Sequence, residues 1–283
     1  PRALLTSPYE LVAYVSDMKC TIWFSVPSLL IYLNTMKAMV PETLQKIRAI
    51  VFGGEGYPKV ELKKLYDSFS DQSALVNVYG PTECTCICSA HNVTDDDFKD
   101  MEGIPTLGYL NPNFDYMILD ELNHQSDTGE LCLIGPNVAA GYFNDIDRTL
   151  SSFETLQDKD RFMKRMYRTG DLVCAIDNKF YFLGRKDNQI KHMGYRIELE
   201  EIETAVLKLE NVIQTAVIYR RMNTAFGKIF CYVQAAPKFD ESSAIEKLSK
   251  LLPEYMLPNK MIILSELPKN SNGKVDRKLL AEL

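Results

Sequence analysis

Four short stretches of the chain gather polar and charged residues around glycine-containing turns, a setting in which side chains can do chemistry. The first, Asn77-Val78-Tyr79-Gly80-Pro81-Thr82-Glu83, reads as a strand that ends in a Gly-Pro turn and at once presents a hydroxyl and a carboxylate. Ligands of open α/β sheets bind at the carboxyl ends of strands, where Tyr suits stacking on a base, Thr bonding a phosphate and Glu holding Mg2+. The second, Tyr167-Arg168-Thr169-Gly170-Asp171-Leu172, reads as a Thr-Gly-Asp turn preceding a strand. It leaves the Asp171 carboxylate able to accept two hydroxyls, as from a ribose. The third runs from Gly184-Arg185-Lys186-Asp187-Asn188-Gln189-Ile190-Lys191 into Gly194-Tyr195-Arg196-Ile197-Glu198. The fourth, Lys269-Asn270-Ser271-Asn272-Gly273-Lys274-Val275-Asp276-Arg277, is a polar loop that displays Lys274 at its tip. Singly, each has an ordinary alternative: a surface turn, a hairpin or Asx turn, a charged interdomain connection, and a solvated turn lysine.

Periodicity shows which elements must carry these stretches. From Lys19 to Ser89, β-rich runs alternate with helical ones, the pattern of strand-helix-strand units around a mainly parallel sheet. Residues 21–26, 48–52 and 74–79 predict strands. A helix opening at Pro27 would turn Leu29, Leu30 and Leu33 inward, and residues 60–69 predict a second amphipathic helix. Beyond about Gly103 short strands take over, at 116–119, 130–134, 172–176 and 180–183, and form a small β-rich layer. Between them the polar stretch 145–165, with Leu150, Phe153 and Leu156 at helical spacing, predicts a surface helix and loop. The pattern resets after Gly184. An acid-rich helix carries Leu199, Ile202, Val206 and Leu209, and strands at 212–219, 229–235 and 261–264 accompany a helix at 244–252. The fold class is therefore α/β: a partial large N-terminal domain, 1–186, with a parallel α/β sheet plus a small β-rich layer, followed by a small α+β C-terminal domain, 187–283. The seam lies near Asp187.

Composition bounds the rest. With 283 residues, 46% hydrophobic, 25% charged and 10% aromatic, the chain is an ordinary globular protein rather than a disordered or low-complexity one. Its net charge of −6 supplies no positive field to gather nucleic acid or anionic lipid. The longest apolar run, Trp23 to Leu33, is broken by Ser25, Pro27 and Ser28, short of the ~18 to 20 residues of a membrane helix. Neither nucleic acid nor membrane is expected as a partner. Seven cysteines without the dense spacing of a secreted scaffold read as free thiols in a reducing, cytoplasmic setting. The start at Pro1, with neither initiator Met nor signal pattern, reads as part of a longer chain. Cys84, Cys86 and Cys88 alternate, which on a strand would turn all three to one face. Zinc pairs more often have two intervening residues and no fourth ligand is nearby, so small buried hydrophobes are the preferred reading. His91, His124 and His192 have no Asp or Ser at the spacing of a hydrolase triad and read as surface residues.

In order and spacing the four stretches resemble the adenylate-forming superfamily, which includes amino-acid adenylation domains of peptide synthetases, D-alanine carrier-protein ligases, acyl-CoA synthetases and luciferases. Phe52-Gly53-Gly54-Glu55, Gly129-Glu130-Leu131 leading to Gly135, and Gly141-Tyr142 fall where that pattern expects them, and the resemblance runs from about Thr21 to Leu283. The run from Asn188 to Glu203 looks most like the amino-acid-activating branch. The resemblance implies ATP and Mg2+ as cofactors and two half-reactions: a carboxylate, in this branch an amino acid, is joined to AMP with release of pyrophosphate. The acyl group then passes to a thiol, that of a phosphopantetheinyl carrier protein or of CoA. It further implies that Tyr79 stacks on adenine with Gly80 beside it, that Gly54 and Glu55 line the nucleotide and substrate pocket, and that Thr82 contacts phosphate. Glu83 would ligate Mg2+, and Asp171 would hold the ribose with Arg185 beside it. Lys274 would be the catalytic lysine of the first half-reaction, Asp187 the hinge, and the loop Gly194, Tyr195, Arg196 the element brought in for thiol transfer. Ser28, Val51, Gly53, Val78, Cys86 and Ile87 match substrate-pocket positions and describe a modest, mostly apolar pocket.

Two departures accompany the resemblance. The family's Ser/Thr/Gly-rich phosphate loop has no counterpart here, so the chain is expected to begin after it and to turn over little by itself. The D-alanine ligases carry Cys where this chain has Gly53. An acyl- or aryl-CoA synthetase and a non-catalytic module that retains the fold are the competing readings; intact Glu83, Asp171 and Lys274 speak against the module.

Overall fold

The computed structural model describes all residues except 1, 158–162, 223–226, 238 and 271–273. It divides between Asp187 and Asn188 into two compact units. The first opens with helix α1 (Pro8–Asp17) and a sheet ordered β1 (Ile22–Ser25), β2 (Ala49–Gly53), β3 (Ala74–Tyr79), β4 (Ser89–Asn92) and β5 (Tyr109–Leu110). β1, β2 and β3 pair in parallel; β4 and β5 add antiparallel strands. Helices α2 (Pro27–Thr35) and α3 (Lys59–Phe69) are the crossovers. Pro27 starts α2 at the position where its missing N–H costs nothing. Leu30 and Leu33 are fully buried, whereas Leu29 stays half-buried and Ile31 takes its place in the core. α3 buries Leu62, Leu65 and Phe69 on one stripe and sets Lys63–Asp67 and Lys64–Glu61 ion pairs on the other.

The β-rich layer of this unit is an antiparallel sheet of β6 (Asp115–Leu119), β7 (Thr128–Ile134), β9 (Met163–Ile176) and β10 (Lys179–Arg185), with β8 (Phe153–Gln157) paired to β9. The surface helix and loop predicted over 145–165 are corrected here in their second part. Helix α4 covers only Ile146–Ser152, capped by Asp145, which accepts the Arg148 amide. Phe153 and Leu156 belong to β8, and 158–162 lie outside the described residues. Apolar residues three apart fit a helix as well as a strand entered midway, and the β9 partner that decides between them is not local.

In the second unit β11 (Gln189–His192) and β12 (Tyr195–Glu198) form a hairpin, followed by α5 (Leu199–Val206). A three-stranded sheet of β13 (Val212–Arg221), β14 (Gly227–Ala235) and β15 (Lys260–Leu264) carries a core on each face. One is built with α5 and α6 (Glu241–Ser249) from residues such as Ile202, Val206, Val217, Cys231 and Leu248, the other with α7 (Arg277–Glu282) around Tyr232, Leu267 and Leu280. Among the described residues no helix is long and apolar enough to cross a membrane. All seven cysteines are free thiols.

Candidate functional site

Because β1, β2 and β3 run parallel, their carboxyl ends at Ser25, Gly53 and Tyr79 share one edge of the first unit's sheet. The predicted pocket residues Ser28, Val51, Gly53 and Val78 lie on or just past these strands. Glu55 does not project freely there: its Oε2 accepts the Ser28 amide at 3.0 Å, which satisfies a free N–H in the first turn of α2. A Cβ at Gly53 would stand 2.3 Å from the Val78 carbonyl oxygen, so the close approach of β3 dictates glycine at this position. Gly54 is exposed with φ +87°, a conformation glycine adopts without strain.

Past Tyr79 the chain turns tightly. The Cys88 amide donates to the Tyr79 carbonyl at 2.7 Å, and a Cβ on Gly80 would sit 1.9 Å from the Cys86 carbonyl oxygen. Thr85 and Cys86 are both left-handed, at φ 62° and 77°. The segment is thus no strand, the three cysteines share no face, and the expectation of small buried hydrophobes is corrected at Cys86. Cys84 and Cys88 are buried, with the Cys88 thiol on the Cys84 carbonyl at 3.7 Å, while Cys86 is exposed and Ile87 half-buried. The hydrogen bond with Cys88 and then burial push the Cys84 thiol well up. His91 also departs from a surface reading: it is largely buried on β4 and its Nε2 sits 2.9 Å from both Asp97 oxygens.

Asp171 lies within β9, not after a turn. The register of β7 against β9 shifts between Glu130 and Cys132, so Thr169, Gly170 and Asp171 form a bulge, with Gly170 at φ +71°. The bulge re-aims Asp171 toward two partners from other strands. The Tyr79 hydroxyl donates to its Oδ2 at 2.6 Å and Arg185 Nη1 to its Oδ1 at 2.6 Å. Arg185 meanwhile clasps Asp187 with Nε and Nη2, each at 2.6 Å. A Cβ on Gly170 would come within 2.7 Å of Arg185 Nη2, so the bulge glycine and this clasp are packed together. Burial, reinforced by the Asp171 charge, raises the Tyr79 hydroxyl well above its ordinary 10.0 and keeps it a donor. Burial opposes the Arg185 charge, but Asp187 and Asp171 outweigh it and hold the guanidinium protonated.

Glu83 is buried, its Oε1 accepting from the Tyr142 hydroxyl at 2.6 Å and its backbone carbonyl from the Ala139 amide at 2.8 Å. The Tyr142 ring lies under the Arg148 guanidinium and edge-on to Phe153, so α4 and β8 fix this partner. Thr82 beside it is exposed. Among the described residues no group of three or more His, Cys, Asp and Glu could hold a metal. The Glu83 carboxylate is an oxygen donor of the kind Mg2+ takes, an ion usually held by one or two carboxylates with substrate phosphates supplying further oxygens, and its Oε1 is engaged by Tyr142.

Two carboxylates that stand in the stretches carrying the resemblance, Glu130 and Glu203, have no role assigned there and prove to be supporting groups. Glu130, buried on β7, accepts Arg168 Nη2 at 2.7 Å, Lys186 Nζ at 3.3 Å and the Gly170 amide at 3.2 Å, which ties it to the bulge carrying Asp171. An acid ahead of the apolar run Leu131-Cys132-Leu133-Ile134 is the signal that marks it. In the second unit Glu203, on α5, pairs with Arg277 at 2.7 Å and accepts the Val217 amide, while Arg277 Nη1 reaches the Val217 carbonyl.

That clamp anchors the lysine loop. Lys274 is exposed; its amide donates to Asn270 Oδ1 and its carbonyl accepts the Asn270 amide, and Asp276 caps α7. The predicted tip residues 271–273 lie outside the described residues. The expected loop of Gly194, Tyr195 and Arg196 is the two-residue turn of the β11–β12 hairpin, with Met193 and Gly194 at φ 52° and 84° and with Tyr195 and Arg196 already on β12.

Comparison with known families matches residues 1–143 to the AMP-binding enzyme family and residues 201–274 to the AMP-binding enzyme C-terminal domain. The chain is 35% identical over 298 residues to Delta-poly-L-ornithine synthetase of Acinetobacter baumannii, a match covering 99% of this chain and 20% of that protein. Among solved structures it resembles holo-PA1221, an NRPS protein containing adenylation and PCP domains, at 26% identity and TM-score 0.81, over 96% of this chain and 46% of that one. The Vibrio cholerae adenylation domain AlmE in complex with glycyl-adenosine-5'-phosphate matches at 25% identity and TM-score 0.81, over 100% and 52%. The chain thus spans about a fifth of that synthetase and about half of each of those solved chains.

Proposed function

The chain belongs to the AMP-binding enzyme family, and from that premise we propose that it is the part of an AMP-forming ligase that activates an amino acid and passes it to a phosphopantetheine thiol. The observation that carries the proposal is the cluster at the sheet's carboxyl edge, where Tyr79, Asp171 and Arg185 meet through two 2.6 Å bonds and Glu83 stands four residues on. In the first half-reaction a carboxylate oxygen attacks the α-phosphorus of ATP, the bond to the β-phosphate oxygen breaks, and pyrophosphate leaves. Asp171 takes the ribose hydroxyls by exchanging them for its present partners, and Tyr79 offers its ring to the base. Glu83 would hold Mg2+, which when bound would supply positive charge against the phosphates. Lys274 places an ammonium between the attacking and leaving oxygens, where the negative charge develops. The pocket from Ser28, Val51, Gly53, Val78, Cys86 and Ile87 takes the substrate side chain. AlmE, with its bound glycyl-adenosine-5'-phosphate, supports the aminoacyl reading, and the PCP domain of PA1221 supports a carrier-protein acceptor. The seven free thiols favour a reducing cytoplasm.

Pyrophosphate exchange into ATP with the complete natural polypeptide, over a panel of amino acids and simple acids, tests this reading. Exchange driven by one amino acid supports it, and no exchange with any acid refutes it. Asp187, where the first unit ends, is the proposed pivot between the half-reactions, because one residue can absorb a large backbone rotation. Proline fixes φ near −65° and constrains the residue before it. Asp187→Pro is therefore expected to keep exchange and to lose thioester formation; equal loss of both contradicts the pivot.

A further inference from the structure

We infer that Tyr255 is a positioning residue for thioester formation, holding the tip of the β11–β12 hairpin through a stack on Tyr195; the inference rests on the adenylation reading above. The tip is a two-residue turn with both residues at positive φ, the geometry that joins twisted strands best. Asn-Gly or Gly-Gly would adopt it readily, but here the first position is Met193, and a long side chain at φ 52° is disfavoured. Gly194 suits its place but Met193 does not, so contacts outside the turn are called on to sustain it.

Two aromatic pairs supply such contacts. His192 and Tyr195 face each other across the hairpin directly beside the turn. Side chains alternate along a strand, so they share a face with the pair Ile190 and Ile197, and both of these pack into the core of the second unit. Tyr195 lies flat on Tyr255, with ring centroids 3.8 Å apart and planes within 4°. The His192 ring meets Tyr219 edge-on, with Nδ1 3.2 Å from the Tyr219 hydroxyl. Tyr219 and Tyr255 themselves pack against the same core, and Met256 is buried in it, so the tip rests on two fixed rings. Lys191 and Arg196, paired one step back, fall on the opposite, exposed face. The stack thus sets both the turn and the direction in which Gly194 and Arg196 are presented.

In the second half-reaction the thiol sulfur attacks the acyl carbon of the adenylate, the bond between that carbon and the phosphate oxygen breaks, AMP leaves with the electron pair, and the thiol proton passes to solvent base. A hairpin that guides the thiol must be placed to within about 1 Å, since a misplacement of that size can cost on the order of a hundredfold in rate. The first half-reaction does not use the hairpin. With the complete polypeptide, free 4'-phosphopantetheine as the thiol probe and preformed adenylate, Tyr255→Leu is expected to slow thioester formation by about ten- to a hundredfold. Pyrophosphate exchange should stay within about twofold of the parent, the effect of a substitution outside that half-reaction's machinery. Tyr255→Phe, which keeps the stacked ring, should restore thioester formation. Unchanged thioester formation in Tyr255→Leu, a parallel fall of both half-reactions, or a defect in Tyr255→Phe overturns the inference. A parent protein with no exchange for any acid removes the adenylation reading itself, and the inference falls with it.

Discussion

Lys274→Ala is expected to lower pyrophosphate exchange by about a hundred- to a thousandfold, the loss that follows removal of one pre-placed group from a developing negative charge. Two anions must meet when a carboxylate attacks an α-phosphate, and a lysine suits the task because its ammonium is a compact point charge on a four-carbon stem. The loop is built to carry such a residue: Asn270 holds the Lys274 backbone, Asp276 caps α7, and Arg277 locks onto Glu203 and the Val217 carbonyl. The side chain itself stays exposed. Thioester formation from supplied aminoacyl-adenylate should proceed within about twofold of the parent, because that step does not use the interaction removed. Lys274→Arg should recover little, since a planar fork does not replace a point contact. Retention of exchange within tenfold of the parent by Lys274→Ala would remove Lys274 from the chemistry.

Glu130→Ala is expected to destabilise the first unit by about 3 kcal/mol, the lower end of the cost of breaking one partner out of a buried ion pair. The lower end applies because Arg168 retains 19% exposure and so regains some hydration. Lys186, at 58% exposure, contributes little. For a unit of this size the loss corresponds to a fall in Tm of about 6 to 12 °C, measurable by calorimetry. Because the same carboxylate accepts the Gly170 amide, the KM for ATP should rise along with the stability loss. The pH dependence has a definite sign. Burial pushes the Glu130 carboxyl up, but the Arg168 hydrogen bond and charge, with Lys186, outweigh it and hold the group below its ordinary 4.5. A carboxyl depressed by folding stabilises the protein above that ordinary value, and the contribution fades as pH falls through the folded one. The gap in Tm between parent and Glu130→Ala should accordingly be flat above about pH 5.5 and narrow below pH 4.5. A gap that widens in acid would contradict the ion-pair account.

The strands and helices of the first sheet were legible because their information is local. Alternating runs give β1 to β3, Pro27 sets the start of α2, and the three- and four-residue spacing of Leu62, Leu65 and Phe69 gives α3. The same local rules misread residues 145–165, since three-residue spacing at Leu150, Phe153 and Leu156 cannot tell a helix from a helix followed by an edge strand. They also misread Thr169-Gly170-Asp171 as a turn, because a Gly at positive φ serves a turn and a bulge equally well.

The residue types and spacing by themselves determined the chemistry on offer: a Tyr, Thr and Glu after one strand, an acid for hydroxyls, an arginine beside a seam, and a lysine on a polar loop. Such stretches are contiguous, so their order along the chain carries the meaning. Only the tertiary structure decided which of these side chains are already engaged and by what. Tyr79 reaches Asp171 across 92 positions, Tyr142 reaches Glu83 across 59, and Arg277 reaches Glu203 across 74. Such pairs depend on strand register and on how far a bulge turns a side chain, quantities set by packing over the whole unit rather than by neighbours in sequence.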